Sequence, residues 1–308
     1  MPRFSVVVAV YNKESYIRAT LESVLKQTFR DLELVVYNDG STDNSKSIIN
    51  SINDNRIRYY EGANKGAGAA RNTALSKAKG ELIALLDADD IWRPDHLEVL
   101  DQAIRHYPDQ RVFATDSILL QDQFQFVRTY SGGPYRETTV LDFFEASLVD
   151  SVINSSTLAV YPEVFDKVGV YNPDIKSGQD TDLWIRIGLE YQVVFIPKVT
   201  VHIVRDWSSL SRSSKSLDDK PNFAKYEYLE ADRPALKQFL DRNRFSLSLL
   251  ARMSGDGRSA RKLRRQIDPA SLTLKQRILL RLPRTLLSPL NALKGHLEKK
   301  GKRLSSYK

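Results

Sequence analysis

The sequence predicts an α/β protein, Rossmann-like, with a mostly parallel central sheet, flanking helices and a helical C-terminal appendage. Three observations carry that prediction. Over the first hundred residues short β-rich runs alternate with helical patterns, as crossover connections between parallel strands require. The β-rich runs are apolar almost throughout, the composition of strands buried on both faces. Beyond about residue 220 the strand-like runs stop and the patterned segments have helical spacing.

Taken in order, strands are expected at Phe4 to Val10, Leu32 to Tyr37, Ile57 to Tyr60 and Glu81 to Leu86. Helices are expected between them, at about Glu14 to Gln27, Asn44 to Ile52, Gly68 to Ala78 and Pro94 to Tyr107, with Ser, Thr, Asp or Pro near several starts. After residue 110 the alternation weakens into mixed strands, Val112 to Leu119, Phe124 to Tyr130 and Thr157 to Tyr161, around a Gly132-Gly133-Pro134 turn. A helix from about Asp180 to Glu190 and a strand pair, Val193 to Ile196 and Val199 to Val204, close the body. The polar run from Ser211 to Lys220 reads as a linker or loop, placing a boundary near 220 and dividing the chain into 1–220 and 221–308. In the second part helices are expected at Pro234 to Leu240, Phe245 to Met253 and Ser259 to Ile267, with Pro283 and Pro289 splitting the remainder.

With 308 residues, 42% of them hydrophobic, the chain buries one large core or two unequal ones. It has no cysteine, which excludes disulfides, thiolate metal sites and a cysteine nucleophile, and fits a reducing compartment. The apolar run at the N-terminus ends at Val10, far short of the roughly 20 residues that span a bilayer, and no cleavage pattern follows it, so cytosolic residence is expected. The formal charge of +8 is unevenly spread: from Arg252 onward 16 Lys and Arg face three Asp and Glu, leaving the rest at −5. Basic character therefore belongs to the tail.

In Leu82-Ile83-Ala84-Leu85-Leu86-Asp87-Ala88-Asp89-Asp90 a buried strand runs into three carboxylates at its C-terminal end, the edge at which open α/β sheets bind ligands. Asp87 and Asp89, two residues apart on an extended chain, point to the same side. Such a pair suits Mg²⁺ or Mn²⁺, which take one or two protein carboxylates and complete their shell with water and phosphate oxygens. The competing reading is a solvated loop in which Asp90 or Trp92 caps the helix after Pro94. A second strand ends in Asn38-Asp39-Gly40, where Asp39 is able to accept hydrogen bonds from a base or ribose, and Ser41 to Asp43 offer helix capping. The first strand ends in Tyr11, an aromatic ring that either stacks on a base or packs. In Asn64-Lys65-Gly66-Ala67-Gly68-Ala69-Ala70-Arg71-Asn72 small residues open a helix, allowing close approach of a ligand or of the sheet, and Arg71 is placed to pair with phosphate or with Asp87 and Asp89. It has neither a P-loop ending nor dinucleotide spacing. Last, Gln179-Asp180-Thr181-Asp182-Leu183-Trp184 begins a helix whose buried face is Leu183, Trp184 and Ile187; Asp180 and Asp182 do not share a face, so one is read as reactive and the other as a cap.

Five blocks in this order, VVVAVYNKESYIRATLESVLKQTF, LELVVYNDGSTD, NKGAGAARN, GELIALLDADDIWRPDHLE and GQDTDLWIRI, resemble the family 2 glycosyltransferases of the GT-A fold over residues 4–211. The resemblance implies an inverting, metal-dependent transferase acting on a nucleotide sugar. On it, Tyr11 and Asp39 contact the nucleobase, Arg71 the nucleotide region, Asp87 the nucleotide, Asp89 the Mn²⁺ or Mg²⁺ ion of a DxD motif, and Asp180 is the general base. A UDP-sugar is the family's commonest donor, and polysaccharide or lipopolysaccharide synthesis a common setting. The pattern departs from the family at Gln179 and Asn38, where it has Glu and Asp, and at Val204-Arg205-Asp206-Trp207, where it has Arg-x-His; His202 precedes the arginine and is not read as a metal ligand.

In the tail Ile278, Leu282, Leu286, Leu290, Leu293 and Leu297 recur at helical spacing among Lys275, Arg277, Arg281, Arg284 and Lys294. Such a stretch either lies on an anionic membrane, which suits a lipid-linked acceptor at the inner face of the cell membrane, or packs on the body or a partner. It lacks the interleaved aromatics of a nucleic-acid-binding surface, and no nucleic-acid partner is expected. A sugar-nucleotide pyrophosphorylase would need a Gly-rich loop where Tyr11-Asn12-Lys13 stands, and a non-catalytic sugar-nucleotide-binding scaffold would need a broken site.

Overall fold

The structure, a computed structural model, describes residues 1–205 and 216–302. Four strands, β1 (Phe4–Val10), β2 (Leu32–Asn38), β3 (Ile57–Glu61) and β4 (Leu82–Asp87), lie parallel in the order β3-β2-β1-β4. Beyond β4 the sheet continues through β9 (Leu158–Val160), antiparallel to both neighbours, β6 (Val112–Gln121), β10 (Val193–Val204), parallel to β6, and the short β5 (Ile91–Trp92). Two more strands, β7 (Phe124–Val127) and β8 (Thr139–Leu141), pair with β6 and β10.

The alternation within β1 assigns the layers. Phe4, Val6, Val8 and Val10 face one core with Ile17, Leu21 and Val24 of α1 (Ile17–Leu25), Ile49 of α2 (Ser45–Asn50) and Leu97, Leu100 and Ile104 of α4 (His96–His106). Val7 faces the other core, which holds Ala70 and Ala74 of α3 (Ala67–Leu75), Phe143 of α5 (Phe143–Ala146), Val164 of α6 (Glu163–Val168) and Leu183 and Ile187 of α7 (Gln179–Glu190). That second core continues into Leu236, Phe239 and Leu240 of α8 (Pro234–Ser254), and the Phe239 ring stands 5.3 Å from that of Phe143. Farther along come α9 (Gly257–Gln266), α10 (Leu274–Leu279) and α11 (Arg284–Lys299), and a small cluster joins Phe245 of α8 to Ile267, Leu272 and Leu280.

Several expectations are corrected. The strand pair after α7 is one twelve-residue strand, β10, whose register shifts around Pro197, which has no N–H to give the ladder. The first helix starts at Ile17 instead of Glu14; the turn before it is tied to the neighbouring loop, the Lys13 and Glu14 amides donating to Ser45 Oγ and Asp43 Oδ2. Pro234 to Leu240 and Phe245 to Met253 are a single helix: the polar residues between them are buried, Asp241 and Arg244 pairing with each other and with Lys237 and Glu230. Pro283 divides the tail, but Pro289 sits inside α11 near its start and removes only one internal hydrogen bond. Arg128 to Tyr130 leave the ladder that ends at Val127. Residues 206–215, with most of the expected linker, lie outside the described residues.

Candidate active site at the sheet edge

At the C-terminal ends of β1, β2 and β4 opens a cavity of about 350 Å³, closed on the other side by the starts of α3 and α7. Its lining brings Tyr11, Asp39, Arg71, Asp87, Asp89 and Asp180 together. The loops that carry them are tied to one another. After β1 the chain turns through Asn12, whose φ of 49° is the left-handed region Asn tolerates, and its side chain accepts from the Thr42 amide at 2.8 Å. That turn leaves Tyr11 42% exposed over the cavity. Asp39 is buried, and its carboxylate accepts from the amides of Lys65 (2.9 Å) and Gly66 (3.0 Å), so it clamps the loop leading into α3. Gly40, at φ 69°, is required there, since a Cβ would stand 2.8 Å from the Asn64 nitrogen.

Arg71 is the hub. Its guanidinium reaches Asp87 Oδ1 at 2.6 Å and Asp180 Oδ1 at 3.7 Å, and stacks on the Tyr171 ring at 5.2 Å. Reciprocal bonds between the Asn72 side chain and the Tyr171 backbone, at 2.8 and 2.9 Å, hold that ring in place. With its amide nitrogen toward Ile175 O, Gln179 presents its oxygen to Arg71 Nη1 at 2.8 Å. Burial opposes the Arg71 charge, but Asp87 and Asp180 together outweigh it and hold its pKa well above the usual value. Of the small residues that open α3, Gly66, Ala67 and Ala70 line the cavity, while Gly68 lies against the backbone of residues 172 and 173, in the loop before α7.

The three acids after β4 have three environments. Asp87 pairs with Arg71, and Asp89 Oδ2 takes Lys13 Nζ at 2.6 Å. Burial, reinforced by Asp87 and opposed by Lys13, pushes the Asp89 carboxyl above its ordinary range. Asp90 is not the start of the next helix: it is 2% exposed and accepts from Ser156 Oγ at 2.5 Å and from the Val204 amide at 2.9 Å. Burial, then Asp87 and Asp89, raise its pKa well above the carboxylate range. Neither Asp90 nor Trp92 caps α4, which begins after Asp95 with no side-chain cap.

Asp180 and Asp182 part company as expected, but neither is a cap; Gly178, at φ 84°, holds that position. Asp180 faces the cavity, 40% exposed, with Ser155 Oγ at 3.3 Å. Loss of hydration in this recess, helped by Asp87 and opposed by Arg71, raises its pKa. Asp182 is 1% exposed and locked between Arg186 (3.1 Å) and Lys225 (2.6 Å). His202 pairs with Ile91 in the sheet and is absent from the cavity lining.

Sequence reasoning passed over Lys13, although a lysine three residues past the end of β1 is a charge signal that could have found it. Nothing local could have found Ser155 and Ser156, 66 residues from Asp90 along the chain for Ser156, or Tyr171. Among the described residues no three His, Cys, Asp or Glu gather as a closed metal-ligand set.

Residues 5–145 match the family model of glycosyl transferase family 2. An uncharacterized glycosyltransferase of Rickettsia typhi is 29% identical over 201 residues, 65% of this chain and 63% of that protein. The alignments with this and the next two curated relatives span 63%, 31% and 63% of their lengths. The crystal structure of S. aureus TarS superimposes with a TM-score of 0.66 at 21% identity, covering 94% of this chain and 53% of that one. TarS 1-349 in complex with UDP-GlcNAc gives 0.57 at 18% identity, covering 85% and 90%. At such identities the likeness is one of fold, and the fold is the α/β GT-A class that the five blocks imply.

Proposed function

On the premise that residues 5–145 belong to glycosyl transferase family 2, we propose that this chain is an inverting transferase that moves a sugar from a nucleotide-diphosphate sugar to a hydroxyl of a glycan or lipid-linked acceptor. The observation that carries the reading is the Arg71 hub, which holds Asp87 and Asp180 on opposite sides of one guanidinium at the mouth of a ligand-sized cavity. A UDP-sugar is the proposed donor, supported by the TarS structures in complex with UDP and UDP-GlcNAc. The proposed setting is cell-surface polysaccharide or lipopolysaccharide synthesis.

In this mechanism Tyr11 stacks on the base, Asp39 fixes the loop beneath it and faces the base or ribose, and Arg71 and Lys13 hold positive charge where the diphosphate departs. Asp180 accepts the proton of the acceptor hydroxyl as that oxygen attacks the anomeric carbon from the face opposite the leaving group. Its raised pKa makes it a stronger base than an ordinary carboxylate, and acidification through that pKa stops the reaction. No covalent intermediate is needed.

The residues fit a divalent ion. Asp89 and Asp87 are crowded hard-oxygen ligands whose mutual repulsion a cation relieves, and Mg²⁺ or Mn²⁺ needs no more than two protein carboxylates when phosphates supply the rest. Asp89 would hold it once Lys13 moves aside. Bound there, the ion would neutralise charge on the leaving diphosphate.

We keep 1–220 as the proposed catalytic unit and 221–308 as a basic helical unit that attaches the protein peripherally to the inner face of the membrane. Leu274, Ile278, Leu286, Leu290 and Leu293 are 44 to 69% exposed, on segments that also carry Lys275, Arg277, Arg281 and Lys294. No described helix is long and apolar enough to cross a membrane. Flotation with anionic liposomes tests this: equal behaviour of the full chain and a chain ending near 270 removes the membrane role.

A thermal-shift screen of nucleotide sugars with Mn²⁺, followed by hydrolysis of each binder, tests the transferase reading. Stabilisation by a UDP-sugar with slow release of UDP is expected. Complete inertness of the folded protein toward every nucleotide sugar would favour a scaffold.

A further inference from the structure

Gln179, which stands where the family pattern has Glu, is 7% exposed and ties two parts of the site together. Its amide nitrogen donates to Ile175 O at 2.9 Å, and its oxygen accepts from Arg71 Nη1 at 2.8 Å. A carboxylate there would satisfy Arg71 but would set an oxygen against the Ile175 carbonyl, whereas the amide serves both. The backbone that delivers Gln179 is fixed as well. The Ser177 amide donates to Asp219 O at 2.9 Å, and Lys220 Nζ donates to Ser177 Oγ at 2.6 Å.

Arg71 is consequently held on three sides. Its Nη2 lies on Asp87 Oδ1 at 2.6 Å, the Tyr171 ring covers one face at 5.2 Å, and Nη1 lies on Gln179. The contact left incomplete is with Asp180, whose Oδ1 stands 3.7 Å from that same Nη1, beyond hydrogen-bond length. Asp180 is otherwise surrounded by Ser155 Oγ at 3.3 Å, Tyr171, Asp87 and, on the same cavity lining, Lys176. Drawn in to about 2.8 Å, the guanidinium would make a charge-assisted hydrogen bond that stabilises the carboxylate and weakens it as a base.

We propose that Gln179 is a positioning residue that holds Arg71 Nη1 away from Asp180, so that the proposed base stays loosely paired and keeps its affinity for the acceptor's proton. What Asp180 does with that proton rests on the transferase reading; what Gln179 does to Arg71 rests on the distances. Removing the acceptor at 179 frees Nη1, and Asp180 Oδ1 is the carboxylate oxygen standing beside it.

The test follows the Asp180 carboxyl by NMR in the full chain carrying isotope-labelled aspartate, its signal identified by its loss in Asp180→Asn. In Gln179→Met, a side chain of similar length with only a weak acceptor, the titration midpoint should fall by about one pH unit, a tenfold loss of basicity. In Gln179→Glu, which adds a negative charge beside Asp180, it should rise. Release of UDP from UDP-GlcNAc with Mn²⁺ is then measured across pH. For Gln179→Met, kcat should fall by up to about tenfold and its acid limb should follow the midpoint down. KM for UDP-GlcNAc and the affinity for UDP should stay unchanged, because Asp87 and Tyr171 still hold Arg71. Thermal melts show which variants fold, and Gln179→Leu replaces Gln179→Met if that one does not. Midpoints equal to wild type in both variants, or moving in the same direction, overturn the proposal, as does a lowered melting temperature with kcat and its pH profile untouched. Opposed midpoints in a protein inert toward every nucleotide sugar strike the transferase reading instead and leave the positioning role of Gln179 standing.

Discussion

Two groups of carboxylates on the same side of the sheet are treated in opposite ways. At the cavity, Asp89 and Asp180 keep exposure, raised pKa values and, for Asp180, only a long 3.7 Å contact with its cation. On α7 and α8 respectively, Asp182 and Asp241 are 1% and 0% exposed, and each is held by two cations at 2.6 to 3.1 Å. Asp180 and Asp182 are two residues apart, so the difference arises from the 100° step of a helix rather than from composition. One face of α7 meets the cavity, while Asp182 on another meets Lys225 and, one turn along the same helix, Arg186. Asp180, only loosely paired, thus stands where a charged ligand could reach it.

If that contrast is functional, substitution should separate rate from stability. Asp180→Asn should lower turnover by about two to four powers of ten while UDP binding and melting stay near wild type, read by steady-state transfer and calorimetry. Transfer at the wild-type rate would erase the contrast. Asp241→Ala should act oppositely, removing about 3 kcal/mol of stability by leaving Arg244 and Lys237 with Glu230 as their one shared carboxylate, as denaturant titration would show. Asp182→Asn should cost about 2–3 kcal/mol with turnover per folded molecule unchanged; a specific catalytic defect would instead move Asp182 to the functional group.

The smallest effect separates burial from pairing. His96 is completely buried, touches Thr200 Oγ1 through Nδ1 at 2.7 Å, and burial pushes its pKa down to about 3. Above about pH 6.5 it is neutral in both folded and unfolded chains, so it has no effect on pH dependence. Below that value the unfolded chain takes up a proton that the folded one refuses, so stability falls until the pH approaches about 3. Between pH 6.5 and 5 the loss should be about 2 kcal/mol, and His96→Gln should remove that part of the slope.

The first half of the molecule was legible because its signals are local. Strands β1, β2 and β4 are mostly apolar runs, and each leads into a polar residue that reaches the cavity, so Tyr11, Asp39 and Asp87 could be placed at the sheet edge from spacing. The second half was less so. Strands β5 and β8 and helix α5 are two to four residues long, too short for periodicity to register. Charge was misread or missed: the polar stretch around Asp241 looked like a break and is a buried ionic knot, while Lys13 was passed over and is a cavity wall. Partners distant in sequence, such as Ser156 for Asp90, leave no trace in either segment alone.

That last pair bears on how the protein comes into being. The Asp90 carboxyl joins residues 90, 156 and 204, and its bond to the Val204 amide spans 114 positions. A growing chain therefore cannot set its acidic turn until synthesis has passed residue 204 and the tenth strand has returned beside the sixth. Closure over so long a loop is a late event in folding. The nascent chain would present a nearly finished parallel half-sheet with an unformed mouth, unable to seize substrate before the scaffold that restrains its chemistry is complete.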